Sequence, residues 1–483
     1  MRLTVGEILN AVGGRLVAGD PDEAATGVST DSRALQAGDL FVALKGERHD
    51  GHQYLADVFA KGAAAAIVQE GAEEPNPDFR NLIEVRDTLT ALGDLAHFWR
   101  RRFPIPVVAI TGSNGKTTAK DMTAAVLAAA YRVLKTEGNF NNLIGLPLTL
   151  FRLRPEHEMA VVEMGMNRLG EIDRLAEIAS PSVGVVTTVA RAHLEGLGGL
   201  ANVARAKGEL IARLPEGGLA VLNADASGGG RFTPEFARAA RRRGARAATF
   251  GLSPKADYRA IRVKAEGLKG VRFDARVVGK KWGKTAAFSL GVPGRHNVSN
   301  ALAAIAVGDR FDVPVSKMRS ALSRFHAGSK RMEIVRLAKG IDVVNDCYNA
   351  NPDSTEASLH FLKELGPRRR RVAVLGEMLE LGRWAASCHR EVGGAAARSG
   401  VKLLFAVGPH AEDLVKGARR AGLAKSSSFS FGQVEESLPM IRSLLKAKDV
   451  VLVKGSRGMK MERVTEDLMG RGMARHAPTG GTT

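Results

Sequence analysis

Three residue sets in this chain have the types and spacing of chemistry. The first is Thr111-Gly112-Ser113-Asn114-Gly115-Lys116-Thr117-Thr118. A glycine turn followed by a lysine and hydroxyls fits a nucleoside triphosphate. Backbone N–H groups cradle phosphate oxygens, Lys116 reaches the outer phosphates, and the Thr117 hydroxyl faces Mg²⁺. The general pattern G-x-x-x-x-G-K-[ST] has a glycine where this chain has Ile110. A plain strand-turn-helix corner carrying a lysine is the alternative, and the flanking patterns favour the nucleotide. The second set is Glu163 and His193, each just where an apolar run stops. A carboxylate there is metal-directed. His193 alone would read as structural; beside Glu163 and Lys116 on one sheet edge it reads as a metal ligand. The third set is Ser29, Asp31, Ser32 and Arg33, with Lys45-Gly46 downstream. Hydroxyls, a carboxylate and cations together suit a sugar nucleotide. A capped turn with a surface arginine fits those residues equally well.

Positioning these groups requires alternating strands and helices. Val107 to Ile110 reads as a buried strand, and an Ala-rich helix opens at Lys116. The strand MAVVEMG delivers Glu163 and VGVVTTV delivers His193. Lys207 falls in the middle of a helical pattern, where a lysine is normally exposed. Gly294-Arg295-His296-Asn297 leads into a helix. Asn297 there could read adenine edges or cap that helix. From about residue 326 the alternation resumes with strands IDVVNDCY, RRVAVLG, KLLFAVG, SSFSF and DVVLVKG. No G-x-G-x-x-G loop accompanies it, so no NAD is implied.

The expectation is an α/β protein of three domains. A small α/β domain spans residues 1–87, and a helical connector spans 88–102. A central ATPase-like domain with a mostly parallel sheet spans 103–325. A Rossmann-like doubly wound domain spans 326–470, and a disordered tail spans 471–483. At 483 residues the chain is too long for one core. No apolar run is long enough for a membrane span, and the N-terminus does not read as a signal peptide. Cys347 and Cys388 sit in no metal or redox spacing and read as packing residues in a reducing cytoplasm. Net charge is +19, but the excess lies in scattered short arginine runs and aromatics are only 5%. That opposes nucleic acid and reads as a solvated basic surface for polyanionic small substrates.

Taken in order, these stretches resemble the Mur ligases, ATP-dependent amino-acid and peptide ligases of peptidoglycan precursor synthesis. TGSNGKTT is similar to the family's phosphate loop, and EMGMNRLGEI, ARAHLEG, ARAKGEL and GRHNVSNALAA to its other central-domain motifs. NFNNLIGLPLTL, DCYNANPDS, VLGEMLELG and VLVKGSRGMKME resemble the branch that takes UDP-MurNAc-tripeptide and D-alanyl-D-alanine. The DNPR motif of the sibling that adds the third amino acid is absent.

The resemblance implies ATP and Mg²⁺, no nucleic-acid partner, and a cytoplasmic monomer. It assigns catalytic roles to Lys116, Lys207 and His193. Lys207 matches a lysine that family members carbamylate. The resemblance gives metal to Thr117, Glu163 and His193, and ATP to residues 111–118, Asn297, Arg331 and Asp346. Substrate falls to Asn139, Asn142, Asn349 and Asn351, and the uridine-diphosphate region to Ser29, Asp31, Ser32, Arg33, Lys45 and Gly46. Three domains for three substrates must bring their sites together, so domain closure on ATP binding is expected.

Overall fold

The structure, a computed structural model, describes residues 1–47, 49–71, 79–225, 228–277 and 285–470. The tail expected over 471–483 lies outside the described residues. Among the described residues the strands form four sheets. A short ribbon pairs Leu3–Thr4 with Ala24–Ala25. A five-stranded sheet runs Arg15–Ala18, Leu82–Val85, Ala65–Gln69, Asp39–Val42, Gly27–Ser29, parallel except at its first pairing.

The nine-stranded central sheet carries the chemistry. From one edge it runs Val133–Lys135, Met159–Glu163, Val107–Thr111, Val183–Val186, Leu219–Asn223, Arg246–Gly251 and Tyr258–Ala265, all parallel. Val271–Val277 and Ala286–Leu290 then add antiparallel. Strand period decides what each residue meets. Val108 and Ile110 join a core with Met122 and Val126 of helix Lys116–Ala128 and with the apolar helix His296–Arg310. Val107 and Ala109 join the opposite core with Leu175 and Leu210. Each valine, leucine, isoleucine or methionine side chain so buried contributes roughly 1.5–3 kcal/mol. Two covered faces explain why the strands read as continuous apolar runs.

The third sheet runs Glu333–Arg336, Asp342–Asn345, Val450–Lys454, Arg371–Gly376, Leu403–Val407, Ser428–Phe431. The five expected strands are there and parallel. Glu333–Arg336 is an additional antiparallel edge that the pattern does not announce. Two apolar residues between charges, half-exposed, leave no periodic trace.

The segment expected as a connector is a helix, Thr88–Arg101, capped by Asp87 accepting from the Thr90 N–H. It is not a free linker. Leu92, Leu95 and Ala96 are buried, and the Arg100 guanidinium donates to carbonyls of Ala179, Phe103 and Ile105. The reading of the arginine runs as solvated surface is corrected here. Arg100 is 8% exposed, and Arg369, Arg370 and Arg371 tie strand ends together through Asp342, Asp449, Ser399 and Gly366. Part of the basic excess is internal cross-linking.

Candidate active site

The phosphate loop closes between Thr111, the last residue of its strand, and helix Lys116–Ala128. Ile110 is fully buried within the strand, paired on both sides. The turn therefore begins two residues later than the general pattern places it. Gly112 (φ +151°) and Gly115 (φ +80°) make it. A Cβ on Gly112 would lie 1.9 Å from Thr187 Oγ1, and one on Gly115 would lie 2.4 Å from Asn300 Oδ1. Gly115→Ala is expected to destabilise the chain by about 1–2 kcal/mol from the left-handed backbone alone. The clash adds to that, and a lowered Tm with loss of nucleotide affinity is the check. The neighbouring strand end holds the loop. Ser113 N donates to Thr188 O at 2.8 Å, and Asn114 N to Thr188 Oγ1 at 2.8 Å.

A cavity of 1260 Å³ opens over this loop between the central and third sheets. It is lined by Ser113 to Thr118, Asn139, Asn142, Glu163, His193, Asn297, Arg331, Asp346, Asn349 and Asn351, so most expected site residues come together. Thr111 is buried below it, its hydroxyl donating to Met164 O. Gly112 gives its carbonyl to the Lys116 ammonium at 2.8 Å. Burial lowers the Lys116 pKa from the ordinary lysine value, with Glu163 opposing that shift. Thr117 Oγ1 accepts from Arg331 at 2.8 Å, and that guanidinium stacks 3.7 Å over the Tyr348 ring.

Glu163 is 2% exposed. One carboxylate oxygen accepts from Asn141 at 2.8 Å, while Oε2 is buried with no hydrogen-bond partner. An orphaned anionic oxygen beside a phosphate loop fits a divalent cation, a hard acid that seeks oxygen. His193 Nδ1 lies 2.6 Å from a Glu380 carboxylate oxygen, but this ring nitrogen is buried and makes no hydrogen bond. That closeness holds the Glu380 carboxyl below its usual range.

Lys207, on helix Leu200–Ala212, is not the exposed mid-helix lysine that its pattern suggests; it is 1% exposed. Burial first, and then the Lys116 charge, hold its amine well below the ordinary lysine range. Asn297 is not the cap; it lies inside helix His296–Arg310. It donates to Pro293 O and accepts from Asn300.

Asp346 is held by buried Lys454 at 2.6 Å and by Ser358 at 2.7 Å. Asn351 caps helix Pro352–Glu364, and its amide pairs reciprocally with that of Asn114. Asn349 accepts from Ala350 N. Asn142 accepts from Gly145 N and starts the helix Gly145–Leu150, while Asn139 shapes the turn before it through its carbonyl. Cys347 is buried, and desolvation pushes its thiol up to about 12. Buried Cys388 is raised for the same reason.

The first-domain set stands apart from this cavity. Asp31 is bound to Arg33 at 2.7 Å, and Ser29 donates to Asp31 O. Ser32 accepts from Lys61, Gly46 N donates to His49 O, and Lys45 faces Asp50 at 3.9 Å. The Arg33 side chain is 87% exposed.

Residue reasoning passed over several members of the site. Asn141 orients Glu163, Tyr348 carries Arg331, Lys454 holds Asp346, and Arg191 and Glu380 join the two domains. Each lies inside a quoted motif, yet none has a type or spacing that announces its role.

Three family descriptions match in order along the chain. "Mur ligase family, catalytic domain" covers residues 24–100, "Mur ligase middle domain" 110–308, and "Mur ligase, glutamate ligase domain" 330–457. A UDP-N-acetylmuramoyl-tripeptide--D-alanyl-D-alanine ligase of Escherichia coli is 36% identical over 475 residues, covering 97% of this chain and 99% of its own. The crystal structure of MurF from Acinetobacter baumannii superposes with a TM-score of 0.88 at 30% identity, covering 98% of this chain and 99% of its own. MurF ligase from Thermotoga maritima, solved in complex with ADP, superposes with a TM-score of 0.79 at 26% identity, covering 92% and 97%. No helix of the described residues is long and apolar enough to cross a membrane. The matches run through the phosphate loop, the strand-end acid and histidine and the third sheet alike, and on them this chain belongs to the Mur ligase family.

Proposed function

We infer that this chain is the ATP-dependent ligase that joins D-alanyl-D-alanine to UDP-MurNAc-tripeptide, giving the UDP-MurNAc-pentapeptide, ADP and phosphate in the cytoplasm. The observation that carries this reading is the cavity in which the phosphate loop, Glu163 and His193 face Arg331, Asn349 and Asn351 of the third sheet. A nucleotide and an incoming amine can meet there. Residues 1–87 would hold the uridine diphosphate, 103–325 the ATP and 326–470 the dipeptide.

A carboxylate has no adequate leaving group for amide formation, so it must first be activated. Its oxygen attacks the γ-phosphorus, the bond to the β-bridging oxygen breaks, and ADP leaves. The dipeptide amine then attacks the acyl carbon, loses a proton, and expels phosphate. This chain mainly positions groups and neutralises charge. Lys116 swings from Gly112 O to the phosphates. Arg331 leaves the Thr117 hydroxyl and remains beside the nucleotide on Tyr348. Thr117, Glu163 and His193 would hold Mg²⁺, which when bound neutralises phosphoryl charge. Lys207 as a neutral amine can add CO₂, losing a proton and becoming an anionic carbamate directed at the metal.

The test is ADP release with UDP-MurNAc-tripeptide present, with and without D-alanyl-D-alanine. Release that needs both, with pentapeptide seen by mass, is the expected result. Release that ignores the dipeptide but rises with another amine would assign a sibling activity.

A further inference from the structure

We propose that Arg191 is a positioning residue that seats helix Pro352–Glu364 of the third domain against the phosphate loop, so that the two walls of the cavity meet in register. The proposal rests on reading that cavity as the place where nucleotide and amine meet.

Arg191 gathers three carboxylates from two helices of the third domain. Its backbone N–H donates to Asp353 at 2.8 Å, and its guanidinium donates to the same carboxylate at 3.3 Å. The guanidinium lies 3.8 Å from Glu356, on the same helix. It also donates to Glu391, on the neighbouring helix Ala385–Arg398, at 2.6 Å. At the far end of helix Pro352–Glu364, Arg295 Nε lies 2.8 Å from Glu364. Two central-domain arginines thus meet the helix at points about 16 Å apart along its axis. Between them Asp353, Glu356, Ala357 and His360 share one helical face and line the cavity.

The turn that carries Arg191 is tied to the phosphate loop. Ala190 N donates to Ser113 Oγ at 3.0 Å, and that hydroxyl donates back to Ala190 O at 3.1 Å. The cap of the helix, Asn351, meets the next loop residue, Asn114, at 2.7 Å. The start of the helix is therefore referenced to two successive residues of the loop, to Asn114 directly and to Ser113 through Arg191.

The charge pattern shows what Arg191 does there. Burial, and then the Glu391 charge, push the Glu356 pKa up, and Arg191 offsets both. The Arg191 side chain is 28% exposed, so solvent screens this network less than it screens an isolated surface pair. Without the guanidinium, three carboxylates would crowd the seam, and the seated arrangement would lose an attraction and gain a repulsion. A dipeptide held by the third domain but reacting on the central one binds productively only in the seated form. Its apparent affinity therefore scales with the seated fraction, whereas saturating dipeptide restores seating.

The test pairs steady-state kinetics with small-angle X-ray scattering and a melting curve on the full chain. Arg191→Ala is expected to raise the KM for D-alanyl-D-alanine by about 10-fold, within the usual range for coupling between sites. Its kcat and Tm should stay near those of the parent, and its radius of gyration should increase. Arg191→Lys should recover part of the KM, and Glu391→Gln should shift it the same way by less. Salt should raise the parent's KM and leave that of Arg191→Ala flat. A parent-like KM and radius of gyration in Arg191→Ala would overturn the proposal, as would a fall in kcat with KM unchanged. A parent chain that forms no pentapeptide would overturn the ligase reading instead, and scattering would still report whether Arg191 seats the helix.

Discussion

Lys116→Ala should lower kcat by about 10²-fold or more, because it removes the cation closest to the transferring phosphoryl group. The side chain is already inside the site, with its ammonium 2.8 Å from Gly112 O and its charge felt by Glu163 and Lys207. Negative charge grows on the phosphoryl oxygens as the bond to ADP breaks, and a buried cation acts there with little solvent screening. The fold should survive. Lys116 is the first residue of its helix, alanine favours helix, and Gly112 and Gly115 shape the loop without it. The check is steady-state kinetics beside a melting curve. A kcat within a fewfold of the parent would remove Lys116 from the phosphate clamp.

Lys207→Ala should also cost on the order of 10²-fold in kcat if a carbamate helps to place the metal. A charged lysine in this position would be out of place, since desolvation and the Lys116 charge both oppose protonation. A neutral amine is the form that adds CO₂, and the product is an anion that Lys116 and a cation would welcome. Two consequences separate this from simple packing. A short carboxylic acid should partly restore Lys207→Ala by supplying the missing anion. Lys207→Arg, which keeps a cation but cannot be carbamylated, should be about as impaired as the alanine variant. Full activity of unrescued Lys207→Ala would take this residue out of the mechanism.

Much of this could be read before any coordinates. Parallel strands buried on both faces leave unbroken apolar runs, so Val107 to Ile110 and VGVVTTV announced themselves, and the residues that close them were the site residues. Lys207 was opaque because helical periodicity says nothing about a neighbour from another strand. Only the packing of helix Leu200–Ala212 against the central sheet shows that its amine is enclosed. Arg191 and Glu380 were opaque for a related reason. Their partners lie 162 and 187 residues away in sequence, on the other domain. The arginine runs misled because charge composition does not reveal that Arg100 and Arg369 to Arg371 satisfy buried carbonyls and carboxylates. The Ser29 to Arg33 turn satisfies its own polar groups, which is why its residues fit a turn and a ligand site alike.

The central claim is that the tripeptide's carboxylate, and not water, receives the γ-phosphoryl group. The most direct measurement labels both oxygens of that carboxylate with ¹⁸O, supplies ATP and D-alanyl-D-alanine, and weighs the phosphate released. One labelled oxygen in each phosphate, with ADP and pentapeptide formed in equal amounts, is the predicted result. Unlabelled phosphate, or AMP and pyrophosphate in place of ADP and phosphate, would contradict the account.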